Sequence, residues 1–143
     1  YQGGDKILLS DSGVGFTIPE GLYGAGDSEY FDIGHEDWMG LVSVYGLEMS
    51  RTDLEGLLAG GLDMGGGEYW YAEGSQSYED ATVVDYLVDG STDGITHATI
   101  TAIYGETGIT AMLMGVGVDS TIEDVMAVSD EVAMSTTFTP MAD

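Results

Sequence analysis

Residues 81–118 read ATVVDYLVDGSTDGITHATITAIYGETGITAMLMGVGV, and this stretch decides the fold. Residues 81–88, 95–104 and 109–118 are rich in Val, Ile, Thr and Tyr, side chains that fit a pleated, half-buried surface. Residues 89–94 and 105–108 join them, each connection short and bearing glycine, which suits hairpins and not parallel crossovers. The stretch predicts a three-strand antiparallel meander. In its middle run Ala98, Ile100, Ala102 and Tyr104 share one face, while His97, Thr99 and Thr101 share the other. The third run is apolar on both faces, as expected of a strand covered on both sides.

Beyond the meander, Ser120-Thr121-Ile122-Glu123 matches a capping box. Ile122, Val125, Met126, Ser129, Val132 and Ala133 then follow helical spacing, and residues 136–139 read as a closing strand ended by Pro140. Before the meander, residues 41–47 predict a strand with Leu41, Ser43, Tyr45 and Leu47 on one face. A short helix follows, with Ser50 and Thr52 as cap candidates and Thr52-Asp53-Leu54-Glu55 as a capping box. Its stripe is Leu54, Leu57 and Leu58, and Gly60-Gly61 ends it. Residues 5–9, 14–18 and 30–33 read as brief strands, with Pro19 stopping the second. Residues 20–27 read as a Gly-rich loop, and residues 63–80 as loop apart from a small strand at Glu68-Tyr69-Trp70-Tyr71. The predicted class is α+β: a single domain over residues 1–143, with a twisted antiparallel sheet, helices packed on it, and fraying at 1–4 and 140–143.

This order resembles the Mog1/PsbP-like α/β/α sandwich family. The residues that carry the likeness are Val14-Gly15-Phe16-Thr17-Ile18-Pro19-Glu20-Gly21 at the start and the helix running into Ser135-Thr136-Thr137-Phe138 at the end. Both motifs are structural. Members are mostly non-enzymatic extrinsic subunits or partners of larger complexes, including photosystem assemblies and a small GTPase. The resemblance therefore implies an accessory or interaction role, and no functional residue carries over from it.

Charge narrows the partners. The chain of 143 residues holds 26 acidic side chains against two cations, Lys6 and Arg51, for a net charge of −24. No basic patch can be built from two cations, so nucleic acid and anionic membrane surfaces are disfavoured. The loss of lysine, with Gly, Thr, Ser and Asp kept, resembles the surfaces of halophilic proteins, whose carboxylates hold water and hydrated cations. A Debye length of about 8 Å at physiological salt screens evenly spread charges but not clusters such as Glu36-Asp37 or Glu79-Asp80. An aromatic content of 10% and clear periodicity argue for a folded chain despite the charge. There is no cysteine, so thiolate chemistry is excluded. No run reaches the roughly 18 apolar residues of a membrane-spanning helix, so membrane insertion is not expected. The first residue is Tyr1, which we read as the mark of a cleaved leader and an extracellular or periplasmic location.

Few motifs suggest chemistry. Asp89, Ser91 and Asp93 sit at alternate positions before Gly94, like the start of a calcium loop, but Ile100 stands where the bidentate Glu would be. A hairpin turn is the favoured reading, with weakly bound calcium or sodium as the only cofactor entertained. His35-Glu36-Asp37 lacks a third convergent ligand, with His97 in another strand. Gly65-Gly66-Gly67 lacks the lysine of a phosphate loop, and no Gly-x-Ser-x-Gly elbow occurs. Met112, Met114, Met126 and Met134 read as core fillers. The aromatic cluster Tyr69, Trp70, Tyr71 and Tyr78 reads equally as a binding platform or as a strand packed on the core.

The expectation is a secreted, acidic, non-enzymatic binding or accessory domain adapted to saline surroundings, with a protein partner or its own copies. The alternatives are a calcium-dependent structural subunit and a small carboxylate-based hydrolase or carbohydrate-active domain.

Overall fold

The computed structural model describes residues 1–140. The meander forms as predicted: β8 (Ala81–Asp89), β9 (His97–Tyr104) and β10 (Thr110–Gly117) pair antiparallel, with Val84 opposite Ile100 and Ile100 opposite Met114. It sits at the middle of an eight-stranded sheet of order β3-β4-β5-β10-β9-β8-β7-β6. The remaining strands of that sheet are β3 (Tyr23–Gly26), β4 (Tyr30–Gly34), β5 (Gly40–Leu47), β6 (Leu62–Gly65) and β7 (Glu68–Ser77). A second sheet of order β1-β2-β11 joins β1 (Lys6–Leu9), β2 (Val14–Thr17) and the closing pair β11 (Thr137–Phe138). Among the described residues there are also two helices, α1 (Arg51–Ala59) and α2 (Ile122–Ser135).

The large sheet divides two cores. On one face α1 brings Leu54 and Leu58 against Trp70, Val84, Tyr86, Ala98, Ile100, Ala102 and Met112. On the other, α2 and the small sheet enclose Leu9, Val14, Phe16, Phe31, Ile33, Val42, Val44, Leu113 and Val125. The expected coverage of β10 on both sides is found: Leu113 belongs to one core and Met112 to the other. Gly115 is required there by space, because a Cβ would lie 2.6 Å from Val125 Cγ1 and 3.1 Å from Thr99 Cγ2.

Several sequence expectations are corrected. Residues 20–27 contain a strand, β3, which pairs with β4. Residues 63–80 are no loop: β6 and the ten-residue β7 form a hairpin, and β7 runs back along β8. Its two-residue turn uses Gly66 (φ 62°) and Gly67 (φ 88°), the left-handed pair that a right-twisted hairpin needs. Glycine-rich sequence here marks the turn, not an absence of structure. Ser50, not Thr52, caps α1, its hydroxyl accepting from the Asp53 N–H. The cap of α2 is Thr121, yet its hydroxyl turns away, donating to the Met39 carbonyl and accepting from the Val118 N–H. It ties the helix start to the residue just before β5 instead of completing the capping box. Met134 is 82% exposed and fills no core. Residues 1–4, expected to fray, are tied down: Gln2 bridges Tyr23, and Gly4 N–H donates to the Ile18 carbonyl. The expectation for residues 141–143 lies outside the described residues.

Candidate functional site

Period-two alternation along β7 splits the aromatic cluster. Trp70 points to the α1 side, is 3% exposed, and packs against Tyr86 with ring centroids 5.7 Å apart. Its indole N–H donates to Glu68 Oε2 at 2.9 Å, which satisfies the one polar atom of a ring otherwise in the core. Trp70 is therefore a structural residue, and its candidacy for partner binding is withdrawn. Tyr69 and Tyr71 point to the opposite face, ring centroids 4.6 Å apart.

Among the described residues no helix covers that opposite face over β7 and β8. Helix α2 packs on β10, β5 and β9, and α1 packs on the other side of β7 and β8. Tyr71 is 53% exposed, and its cross-strand partner Leu87 on β8 is 41% exposed. Leu87 in turn faces His97 on β9. Tyr69 anchors one end through its hydroxyl, which donates to the Gly60 carbonyl at 3.4 Å. The result is an apolar and aromatic row, Tyr71-Leu87, bordered by Asp89 opposite Tyr69 and by the Asp85 carboxylate, which accepts from Thr99 Oγ1 at 2.9 Å. At its far border His97 Nε2 lies 3.5 Å from Asp119 Oδ1.

Tyr78 stands apart from this row. It lies at the β7–β8 turn, 52% exposed, with its hydroxyl donating to Gln76 Oε1 at 2.6 Å. The same turn is gripped by Arg51 at the start of α1. Its guanidinium donates to the carbonyls of Tyr78 and Glu79, pairs with Glu55 Oε1 at 3.0 Å, and sits 4.5 Å from the centroid of the Tyr104 ring. Glu55 closes the group by accepting from Ser77 Oγ at 2.9 Å. These hydrogen bonds, from Ser77 first and from Arg51, hold the Glu55 carboxyl below the usual glutamate range. One of only two cations in the chain thus serves as a staple between a helix and a hairpin.

The other sequence candidates are scattered. Asp89, Ser91 and Asp93 lie along the β8–β9 connection, where Ser91 Oγ accepts from the Asp93 N–H at 3.2 Å. His35 pairs locally, its Nδ1 accepting from the Asp37 N–H, while His97 belongs to the sheet row. Among the described residues no three His, Cys, Asp or Glu side chains cluster as metal ligands. A concavity of about 950 Å³ lies elsewhere, lined by Glu48, Glu106, Ile109, Thr136, Phe138 and Pro140. Asp27, like Glu55, is held low, here by the N–H groups of Glu29 and Tyr30, so neither is tuned toward a general acid.

Sequence reasoning missed Leu87 as a surface residue. Its alternation with Tyr86 and Val88 was visible, but its exposure depends on where α2 stops. No helix among the described residues is long and apolar enough to cross a membrane.

No protein-family profile and no curated protein matches the sequence. Among solved structures, the chain is similar to the solution structure of cyanobacterial PsbP (CyanoP) from Synechocystis sp. PCC 6803. The TM-score is 0.65 at 13% identity, over 94% of this chain and 92% of that one. The fold is therefore PsbP-like, as the opening and closing motifs implied.

Proposed function

We propose that this chain is a non-enzymatic accessory domain that binds a protein through the open face of β7 and β8, in a saline exterior reached by export. The observation that carries the reading is the Tyr71-Leu87 row. Two large apolar side chains lie side by side on a sheet face, beside the Tyr69 ring, where the second helix layer stops short. Exposed apolar rows rimmed by polar groups mark interaction surfaces. The PsbP-like fold agrees with an accessory role. The net charge of −24 sets the partner's sign, favouring cationic surfaces over nucleic acid or anionic lipid, and it opposes close approach of a second copy at low salt.

The test is photo-crosslinking in an extract of the source organism, from a reactive residue placed at position 71 or 87 and, as control, at position 134. A discrete adduct from 71 and 87 alone supports the reading. Equal adducts at 134, or none at 71 and 87, overturn it. The saline part is tested by thermal unfolding in NaCl and in CaCl₂ at matched ionic strength. Screening of the acidic coat gives a smooth rise in Tm with both salts. Saturation at low calcium would instead favour a calcium-dependent subunit, with Asp89, Ser91 and Asp93 as the place to mutate.

A further inference from the structure

The outer edge of β7 is half covered. Strand β6 pairs with Glu68, Tyr69 and Trp70 and then departs toward α1, with Leu62 opposite Trp70 as the last pair. Residues 71–77 have β8 on one side and, among the described residues, no strand on the other. The uncovered length is about 20 Å at the usual strand rise. All of residues 71–77 are exposed. The opposite edge of the sheet differs, because Gln2 bridges Tyr23 and Tyr1 supplies its carbonyl to the Gly24 N–H.

The pattern of backbone groups on that edge can be read from the turn. Tyr78 N–H donates to the Ala81 carbonyl at 2.7 Å, so Tyr78 and Ala81 form a hydrogen-bonded pair. Alternation then makes Gln76-Val83 and Gly74-Asp85 the next such pairs, and turns the N–H and C=O of Ser75 and Ser77 outward. Residues 74–77, Gly-Ser-Gln-Ser, carry none of the lysine or proline that commonly blunts a sheet edge. Gly74, Ser75 and Ser77 are small and leave room for another backbone. The one irregularity, a register shift between Ala72 and Gly74, places exposed Glu73 just before residues 74–77.

Charge identifies the occupant. Glu73 stands at one end of the segment and Glu79 and Asp80 at the other, with Glu55 reaching Ser77 from α1. Arg51, the cation beside them, is already engaged by Glu55 and by two carbonyls. From this we infer that an extended, lysine- or arginine-bearing segment of another protein adds to β7 as a further strand, bonding to the backbone of Ser75 and Ser77 between the carboxylates of Glu73 and Glu79. The inference rests on the protein-binding role proposed above and gives it a mode: main-chain bonds supply register, and the flanking carboxylates select a cationic chain. A second copy of this chain would place another 24 net negative charges against the first.

The experiment is amide hydrogen exchange on the full chain with three synthetic peptides: acetyl-(Lys-Val)₄-amide, the (Glu-Val)₄ counterpart, and the lysine peptide N-methylated at alternate residues. The lysine peptide is expected to slow exchange at Ser75 and Ser77 at least tenfold, and the other two to leave it unchanged. Ser75→Pro removes an outward N–H without touching the β8 ladder, and should abolish the protection while β9 and β10 amides stay protected. If that variant loses β9 and β10 protection, Glu73→Lys with Glu79→Lys takes its place, with an expected loss of at least tenfold in peptide affinity. Equal protection by the N-methylated peptide, or lysine-peptide binding without slowing at Ser75 and Ser77, overturns the inference. Protection that rises with protein concentration in NaCl without peptide assigns the edge to a second copy and also overturns it. Crosslinks at 71 and 87 without edge protection would leave the face reading standing and remove only this mode.

Discussion

Strands β10 and β8 lie in one sheet, separated only by β9, yet they live in different surroundings. β10 lies under α2 on one face and against the α1-side core on the other and is almost wholly buried, with Ala111 and Leu113 to one side and Met112 to the other. β8 alternates: Val84 and Tyr86 face α1, while Leu87 meets solvent. β7, one strand further out, is exposed over most of its length. The contrast teaches that the sheet is wider than the layer α2 can cover. The α2-side core is built largely on β4, β5 and β10, and at the margin the same face of β8 and β7 is left open to solvent at Leu87 and Tyr71.

The most direct attempt to break this contrast is a pair of leucine truncations. Leu113→Ala removes a fully buried side chain and should cost about 2–5 kcal/mol in denaturant unfolding. Leu87→Ala, on the exposed margin, should cost no more than about 0.5 kcal/mol. Equal costs would remove the distinction between the regions. A smaller effect is expected at Gly115→Ala, where the new methyl meets the stiff, β-branched Val125 under α2. Overpacking there should cost about 1–3 kcal/mol, and trimming the neighbour with Val125→Ala in the same chain should recover part of it, measured as a double-mutant cycle.

The covered region was the legible one. Residues 81–118 show their strands, turns and double-sided burial by composition and period alone, because a strand enclosed on both faces must be apolar on both faces. The margin was not legible. Glu73-Gly74-Ser75-Gln76-Ser77 has no hydrophobic period and no β-branched residue, so nothing local marks it as strand. It is strand because β8 offers a ladder beside it and because Gly66 and Gly67 turn the chain back in register. β3 was hidden for the same reason, since Tyr23-Gly24-Ala25-Gly26 reads as loop until β4 supplies its partner. The aromatic cluster was half legible. Alternation said that Trp70 must oppose Tyr69 and Tyr71, but which face is buried depends on α1, which comes earlier in the sequence and is adjacent only in space.

The margin is held to the body by Arg51, and its removal tests how separate the two regions are. Arg51→Gln loses an ion pair, two carbonyl bonds and the stacking on Tyr104, all at a partly exposed position where solvent screens the charge. The expected cost is about 1 kcal/mol globally. Exchange should quicken at β7 and at the β7–β8 turn and stay unchanged in β10; uniform loss across the sheet would show one cooperative unit instead. The same staple carries a pH signature smaller still. Glu55 is held below the usual glutamate range by Ser77 and Arg51, so its folded pKa lies under its unfolded one. A lowered folded value means that the stabilisation is complete above the ordinary glutamate pKa and is lost as pH falls through the lowered one. Carboxyl-resolved NMR titration should therefore find the Glu55 midpoint below the ordinary glutamate value. Arg51→Gln and Ser77→Ala should each move it upward, since the Ser77 hydrogen bond is the largest single cause and Arg51 acts twice, through a hydrogen bond and through its charge. A midpoint that ignores both substitutions would mean that the carboxylate is not bound at the turn, and that β7 is kept in place by its ladder to β8 alone.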